Sequence, residues 1–185
     1  RIVAAPTAGA CGVLPAVLVP YFQKRCKDTD KILKAMYVAA GIGQIIATRS
    51  SISGAAGGCQ AEIGSASSMA AGALTYLQGG NCEQIATAAA MAMKNLLGLV
   101  CDPVAGLVEV PCVKRNVIGT VNAMACADMA MAGIVSRIPP DQVMDAMKEV
   151  GDKMDASLRE TALGGLAQTD EGMKIAEKMH ASYEN

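Results

Sequence analysis

A chain of 185 residues with 52% hydrophobic side chains and a formal net charge of -1 can bury one core; it is too apolar to be disordered and too neutral to grip nucleic acid electrostatically. A single domain spanning residues 1–185 is expected. Trp is absent and Phe22 is the sole phenylalanine, whereas Ala, Gly and Met abound, a composition suited to closely packed helices.

The chain opens on a Pro/Gly-punctuated turn, Pro6 to Gly12, followed by an apolar run from Val13 to Arg25 that predicts a helix bent at Pro20. Asp28 to Asp30 can cap a second helix reaching Thr48, because Ile32, Ala35, Met36, Ala39, Ile42 and Ile46 recur near every 3.6 residues. Arg49 to Gly58 is rich in Ser and Gly, reads as a loop, and delivers Cys59 to the start of a helix ending at Gly79-Gly80. Asn81 and Gln84 resemble a capping pair for a helix over 82–97, which Gly98 can stop.

Asp102-Pro103, Gly106 and Pro111 break any helix between Gly98 and Pro111 and leave Cys101 and Cys112 at the two ends of a turn-rich segment. A long Ala/Met helix over 114–136 is expected next, then one from Pro140 to about 157, and a short last helix capped by Asp170. No alternating strand is found. The expected architecture is all-α: a bundle of roughly seven helices with Gly/Pro-rich loops. The uncharged stretches Ile63 to Cys82 and Ile2 to Gln23 are interrupted by Ser, Gly and Asn or by three prolines, so no membrane span is expected. Arg1 stands where a Met would open a complete chain, which leads us to expect missing upstream residues.

Seven cysteines without a recognisable secretory signal cannot form a complete disulfide framework and point to the cytoplasm. Cys26, Cys82 and Cys126 fall on or beside helices, and buried packing accounts for Cys82 and Cys126. Cys59, Cys101 and Cys112 lie in Gly-rich or Pro-rich loops, where thiolates from separate segments can converge on a metal or an iron-sulfur cube. Zinc competes, although His180 is the only histidine and a fourth ligand is hard to name.

Around these cysteines three ordered motifs appear: Ala5-Pro6-Thr7-Ala8-Gly9-Ala10-Cys11-Gly12, Gly57-Gly58-Cys59-Gln60-Ala61-Glu62-Ile63-Gly64-Ser65-Ala66, and Gly98 through Cys112 with Cys101-Asp102-Pro103 inside it. Together with Lys114-Arg115-Asn116 and Arg159 to Leu166, they resemble the α chain of bacterial iron-sulfur L-serine dehydratases over nearly the whole length. The resemblance implies that Cys59, Cys101 and Cys112 hold a 4Fe-4S cluster, and that L-serine becomes pyruvate and ammonia through Lewis-acid activation of its β-hydroxyl, without pyridoxal phosphate. It implies a role in amino-acid degradation and gluconeogenesis. It also implies a β chain or β domain with a Ser/His motif that nothing here matches, so the α-proton base is expected on that unit, and an oligomer is expected.

The turn before the first helix could grip the substrate carboxylate through Thr7 and the Gly9 region, with Asn116 nearby, or simply cap the helix. Cys11 is expected to pack, and Ser51 and Ser53 to satisfy turn amides. Lys114 and Arg115 could neutralise the site or be a solvated helix start, and Asp102 and Glu109 could support it or serve as turn residues. Arg159, Glu160 and Thr161 read as surface salt-bridge material, and His180 as part of a solvated face. No cysteine follows Cys126 to cover an open iron. The rival readings are a cysteine desulfidase-like cluster lyase, and a non-catalytic helical module with structural zinc or redox cysteines.

Overall fold

In the computed structural model residues 3–183 are described; Arg1, Ile2, Glu184 and Asn185, and with them the expectation drawn from Arg1, lie outside the described residues. The all-helical expectation holds: the described residues form eight α-helices and no strand, and one isolated bridge joins Cys101 to Arg159. The helices are α1 (Val13–Tyr21), α2 (Thr29–Arg49), α3 (Gly54–Gly57), α4 (Ser65–Leu77), α5 (Cys82–Lys94), α6 (Cys112–Met131), α7 (Pro140–Lys153) and α8 (Asp170–Tyr183). None is long and apolar enough to cross a membrane.

The extra helix is α3, which forms inside the Ser/Gly segment expected to be a loop. A π-helical turn, Gln60–Gly64, then separates Cys59 from α4. Asp28 accepts from the Lys31 amide at the start of α2, and Asn81 with Gln84 forms the expected capping box on α5. Helix α6 stops at Met131 rather than near 136. Gly133 takes φ +85°, and the Ile134 amide reaches back to the Met129 carbonyl at 3.0 Å, the geometry of a glycine C-cap.

Helix α4 is the axis of the bundle, buried along its length except at Tyr76 and packed on α1, α2, α5 and α6. Its Ala, Ser and Gly side chains let neighbours approach closely. Three of its four buried hydroxyls find acceptors, Ser67 donating to the Gly119 carbonyl, Ser68 to the Ala89 carbonyl and Thr75 to the Ala71 carbonyl, whereas the Ser65 hydroxyl has no partner among the described residues. Asn122 of α6 donates to both Ser67 and the Ala92 carbonyl, tying α4, α5 and α6 together.

At Gly72 a side chain would collide with Ile42 of α2 and crowd Ile85 of α5. Gly72→Val is therefore expected to destabilise the chain by about 1–3 kcal/mol through overpacking, read as a lowered urea midpoint at an unchanged slope. An unchanged midpoint would show that the α2–α4 crossing yields freely.

Candidate active site

Cys59 enters the core through Gly58, whose φ of +75° lies in the left-handed region. A side chain at Gly58 would also press on Met154 and the Leu99 carbonyl. The next residue locks the turn in place. Buried Gln60 donates its side-chain amide to the Met147 carbonyl at 3.1 Å and accepts from the Gly98 amide at 2.9 Å, while its own N–H reaches the Leu99 carbonyl at 2.9 Å. Gln60 thereby brings the segment leading to Cys101 beside Cys59.

Cys101 is fixed from the other side by the strap after α7. Its amide donates to the Leu158 carbonyl and its carbonyl accepts from the Glu160 amide, both at 2.8 Å. Cys112 is the first residue of α6, two residues earlier than that helix was expected to begin. The three thiols are 0%, 2% and 3% exposed, so the loop cysteines are core residues that meet from three chain segments.

Arg115, one turn into α6, binds all three segments. Its Nη1 donates to the Val100 carbonyl at 2.8 Å and lies 3.5 Å from Cys59 Sγ, and its Nη2 pairs with Asp102 Oδ1 at 2.8 Å. Asp102 in turn accepts the Leu166 amide at 2.8 Å. Arg115 and Asp102 side chains are only 12% and 4% exposed, which decides between a supporting role and a solvated helix start. Lys114 and Glu109 are exposed.

Hydrogen bonds from the Cys101 and Cys112 thiols, with the Arg115 guanidinium, hold Cys59 as a thiolate with its pKa lowered to about 3. That thiolate, and burial, push the Cys101 and Cys112 thiols well above their ordinary range. Cys126 is different in kind. It packs in the α4–α6 core, and burial alone lifts its thiol to about 11. Cys82 corrects the sequence reading, since it opens α5 at the surface and is exposed.

Glu62, inside the motif around Cys59, is a central residue that the motif alone does not set apart. Its carboxylate and the sulfurs of Cys59 and Cys101 all lie within 4.8 Å of one another, a spacing that could hold a metal ion. Burial raises its pKa, the Cys59 and Glu160 charges add to that, and the hydrogen bond from Thr7 opposes them. A signal was available in the sequence: Glu62 is the only acidic residue between Asp30 and Glu83.

The substrate-grip residues named from sequence meet in the same place. Thr7 Oγ1 donates to Glu62 Oε1 at 2.7 Å, and a side chain at Gly9 would come 3.1 Å from Glu62 Oε2. Asn116 Nδ2 donates to the carbonyls of Gly9 and Cys112, and its Oδ1 accepts from the Gly12 amide at 3.0 Å. Ser51 accepts from the Ser53 amide, a turn role as expected. His180 is exposed on α8. Glu160 and Thr161 are exposed, as the surface reading has them, though none of Arg159, Glu160 and Thr161 enters a salt bridge among the described residues, and the backbone of this strap pairs with Cys101.

A family model described as the serine dehydratase alpha chain matches residues 1–167. The chain is 54% identical over 96% of its length to a probable L-serine dehydratase alpha chain of Bacillus subtilis, spanning 59% of that protein. It is 54% identical over 94% of its length to the corresponding probable alpha chain of Latilactobacillus sakei, spanning 83% of it. To the L-serine dehydratase alpha chain of Peptoniphilus asaccharolyticus it is 51% identical over 95% of its length, spanning 60% of that chain.

Proposed function

The chain belongs to the serine dehydratase alpha chain family, and on that premise we propose that it is the cluster-bearing part of an L-serine ammonia-lyase that yields pyruvate and ammonia. The observation that carries this reading is the meeting of three buried thiols from three segments beside one guanidinium. These donors fit a 4Fe-4S cluster: they are soft sulfur donors, three in number, with an N–H group directed at one sulfur. Cys59, Cys101 and Cys112 would hold it. When bound, the cluster would supply a Lewis acid for the substrate β-hydroxyl.

The chain's own residues do the rest of the positioning. Arg115 balances the negative charge gathered at Cys59 and fixes the three ligand segments through Val100 and Asp102. The turn from Thr7 to Gly9 faces Glu62, to which the Thr7 hydroxyl already donates, and presents its main-chain amides to the substrate carboxylate, with Asn116 fixing that turn at Gly9 and Gly12. The α-proton base belongs to a β chain or domain, and no pyridoxal phosphate takes part.

Helix α6 leaves Val113, Val117, Ile118 and Val121 exposed beyond Cys112, an apolar surface suited to that β unit or to oligomer contacts. Free thiols suit a reducing cytoplasm, where release of pyruvate would join amino-acid degradation to gluconeogenesis.

The test is anaerobic reconstitution of the chain with its β unit, followed by metal and sulfide analysis and assay on L-serine and L-cysteine. About four irons with matching sulfide and pyruvate released from L-serine are expected. Faster release from L-cysteine would favour a desulfidase. Stoichiometric zinc without iron would overturn the cluster, and Glu62 would then be the fourth donor that a zinc site requires.

A further inference from the structure

We infer that the outer face of α6 is the contact surface for a second copy of this chain, the two α6 helices lying antiparallel about a two-fold axis at Val121. The inference does not depend on the reaction catalysed.

The inner face of α6 serves the core and the site. Cys112, Gly119, Ala123, Cys126, Ala127 and Ala130 are buried there, and Arg115 reaches back to Cys59. On the outer face Val113, Val117, Ile118, Val121 and Met124 are between 47% and 61% exposed. Five large apolar side chains along one helix face form a contiguous patch, which marks an association surface.

The charges on this face identify the partner. Lys114 stands seven residues before Val121 and Asp128 seven residues after it, about two helical turns either way, so all three share one face. Both charged residues are exposed, and neither enters an ion pair among the described residues. Asp128 accepts from the neutral side-chain amide of Gln78 at 3.1 Å. The exposed residues between them, Val117, Ile118, Val121, Met124 and Ala125, are all apolar.

Turning a copy by half a revolution about an axis at Val121 therefore sets Lys114 against Asp128 of the second copy at one end and Asp128 against its Lys114 at the other. Val121 meets itself at the centre. A parallel pair would set Lys114 beside Lys114 and align the two helix dipoles unfavourably. A surface made for an unrelated chain has no reason to complement itself, whereas a two-fold contact requires it.

Shape agrees with charge. A cleft of about 300 Å³ opens between α1 and α6, lined by Gly12, Ala16, Asn116, Val117, Thr120 and Val121. In the antiparallel pair Met124 of the second copy comes level with Ile118, at the mouth of this cleft, and its flexible thioether suits an irregular gap. Symmetry fills both clefts at once.

The experiment uses the full-length protein with its β unit, purified anaerobically in a Cys82→Ser background that removes the exposed native thiol. Self-association is followed by sedimentation for the parent, Lys114→Asp, Asp128→Lys and the double variant, with iron content as the check on folding. Each single change should raise the Kd of self-association at least about tenfold, because it creates two like-charge contacts by symmetry, and the double variant should return to within about threefold of the parent. In addition Val121→Cys, treated with a short bis-maleimide, should link this chain to its own copy, while Tyr37→Cys on the exposed side of α2 should not. A parent that does not self-associate, single variants that associate as the parent does, or a double variant as weak as the singles would each overturn the inference. So would a Val121→Cys product joined to the β unit, which would assign this face to that partner.

Discussion

Changing Cys59 to Ser is expected to remove nearly all cluster iron after anaerobic reconstitution, from about four irons to below one, and to lower L-serine turnover more than about 100-fold. The size of the effect follows from the place of Cys59 among the three cysteines. It is fully buried, it accepts from both Cys101 and Cys112, and it is the sulfur that Arg115 faces. A serine hydroxyl at that point is a hard, weakly acidic donor and cannot replace a thiolate that the site holds ionised. Losing an outer partner of a metal site costs about 10–100-fold in affinity or activity, and a direct ligand should exceed that. Cys82→Ser and Cys126→Ser are the controls. Both should keep their iron, because Cys82 is exposed and Cys126 packs in the α4–α6 core. Full iron in Cys59→Ser would remove that residue from the ligand set.

Arg115→Met should destabilise the chain by about 3–5 kcal/mol even before any cluster is bound, because it leaves the buried Asp102 carboxylate without its cation. Thermal or urea unfolding of the metal-free protein measures this. The double variant Arg115→Met with Asp102→Asn should recover a large part of the loss, since the uncompensated charge is then gone. Additive losses in the double variant would mean that the two side chains act independently. A second consequence concerns the strap. Asp102 also holds the Leu166 amide, so hydrogen exchange at Leu158 to Leu166 should rise in Arg115→Met.

Helix periods and caps were legible because they are local. The 3.6-residue recurrence from Ile32 to Ile46, the Asp28 cap and the Asn81–Gln84 box are written in neighbouring residues and reappear as α2 and α5. Ends were less legible. The apolar run past Gly133 predicts a longer α6, yet a left-handed glycine closes the helix first. The short α3 was missed because four residues hold no periodicity.

The three cysteines could be set apart by their loop settings and by three ordered motifs, so the sequence by itself determined the candidate ligand set, the helical class and the family to which the motifs point. What only the tertiary structure decided is what surrounds those sulfurs. Gln60 bonds to α7 and to the loop before Cys101, Arg115 reaches back to Cys59, and Glu160 arrives from about sixty residues beyond Cys101. The physical reason is that charge and hydrogen-bond partners act over a few ångströms of space, whatever the separation along the chain. A lone Glu62 acquires meaning once Thr7, Cys59 and Cys101 stand beside it.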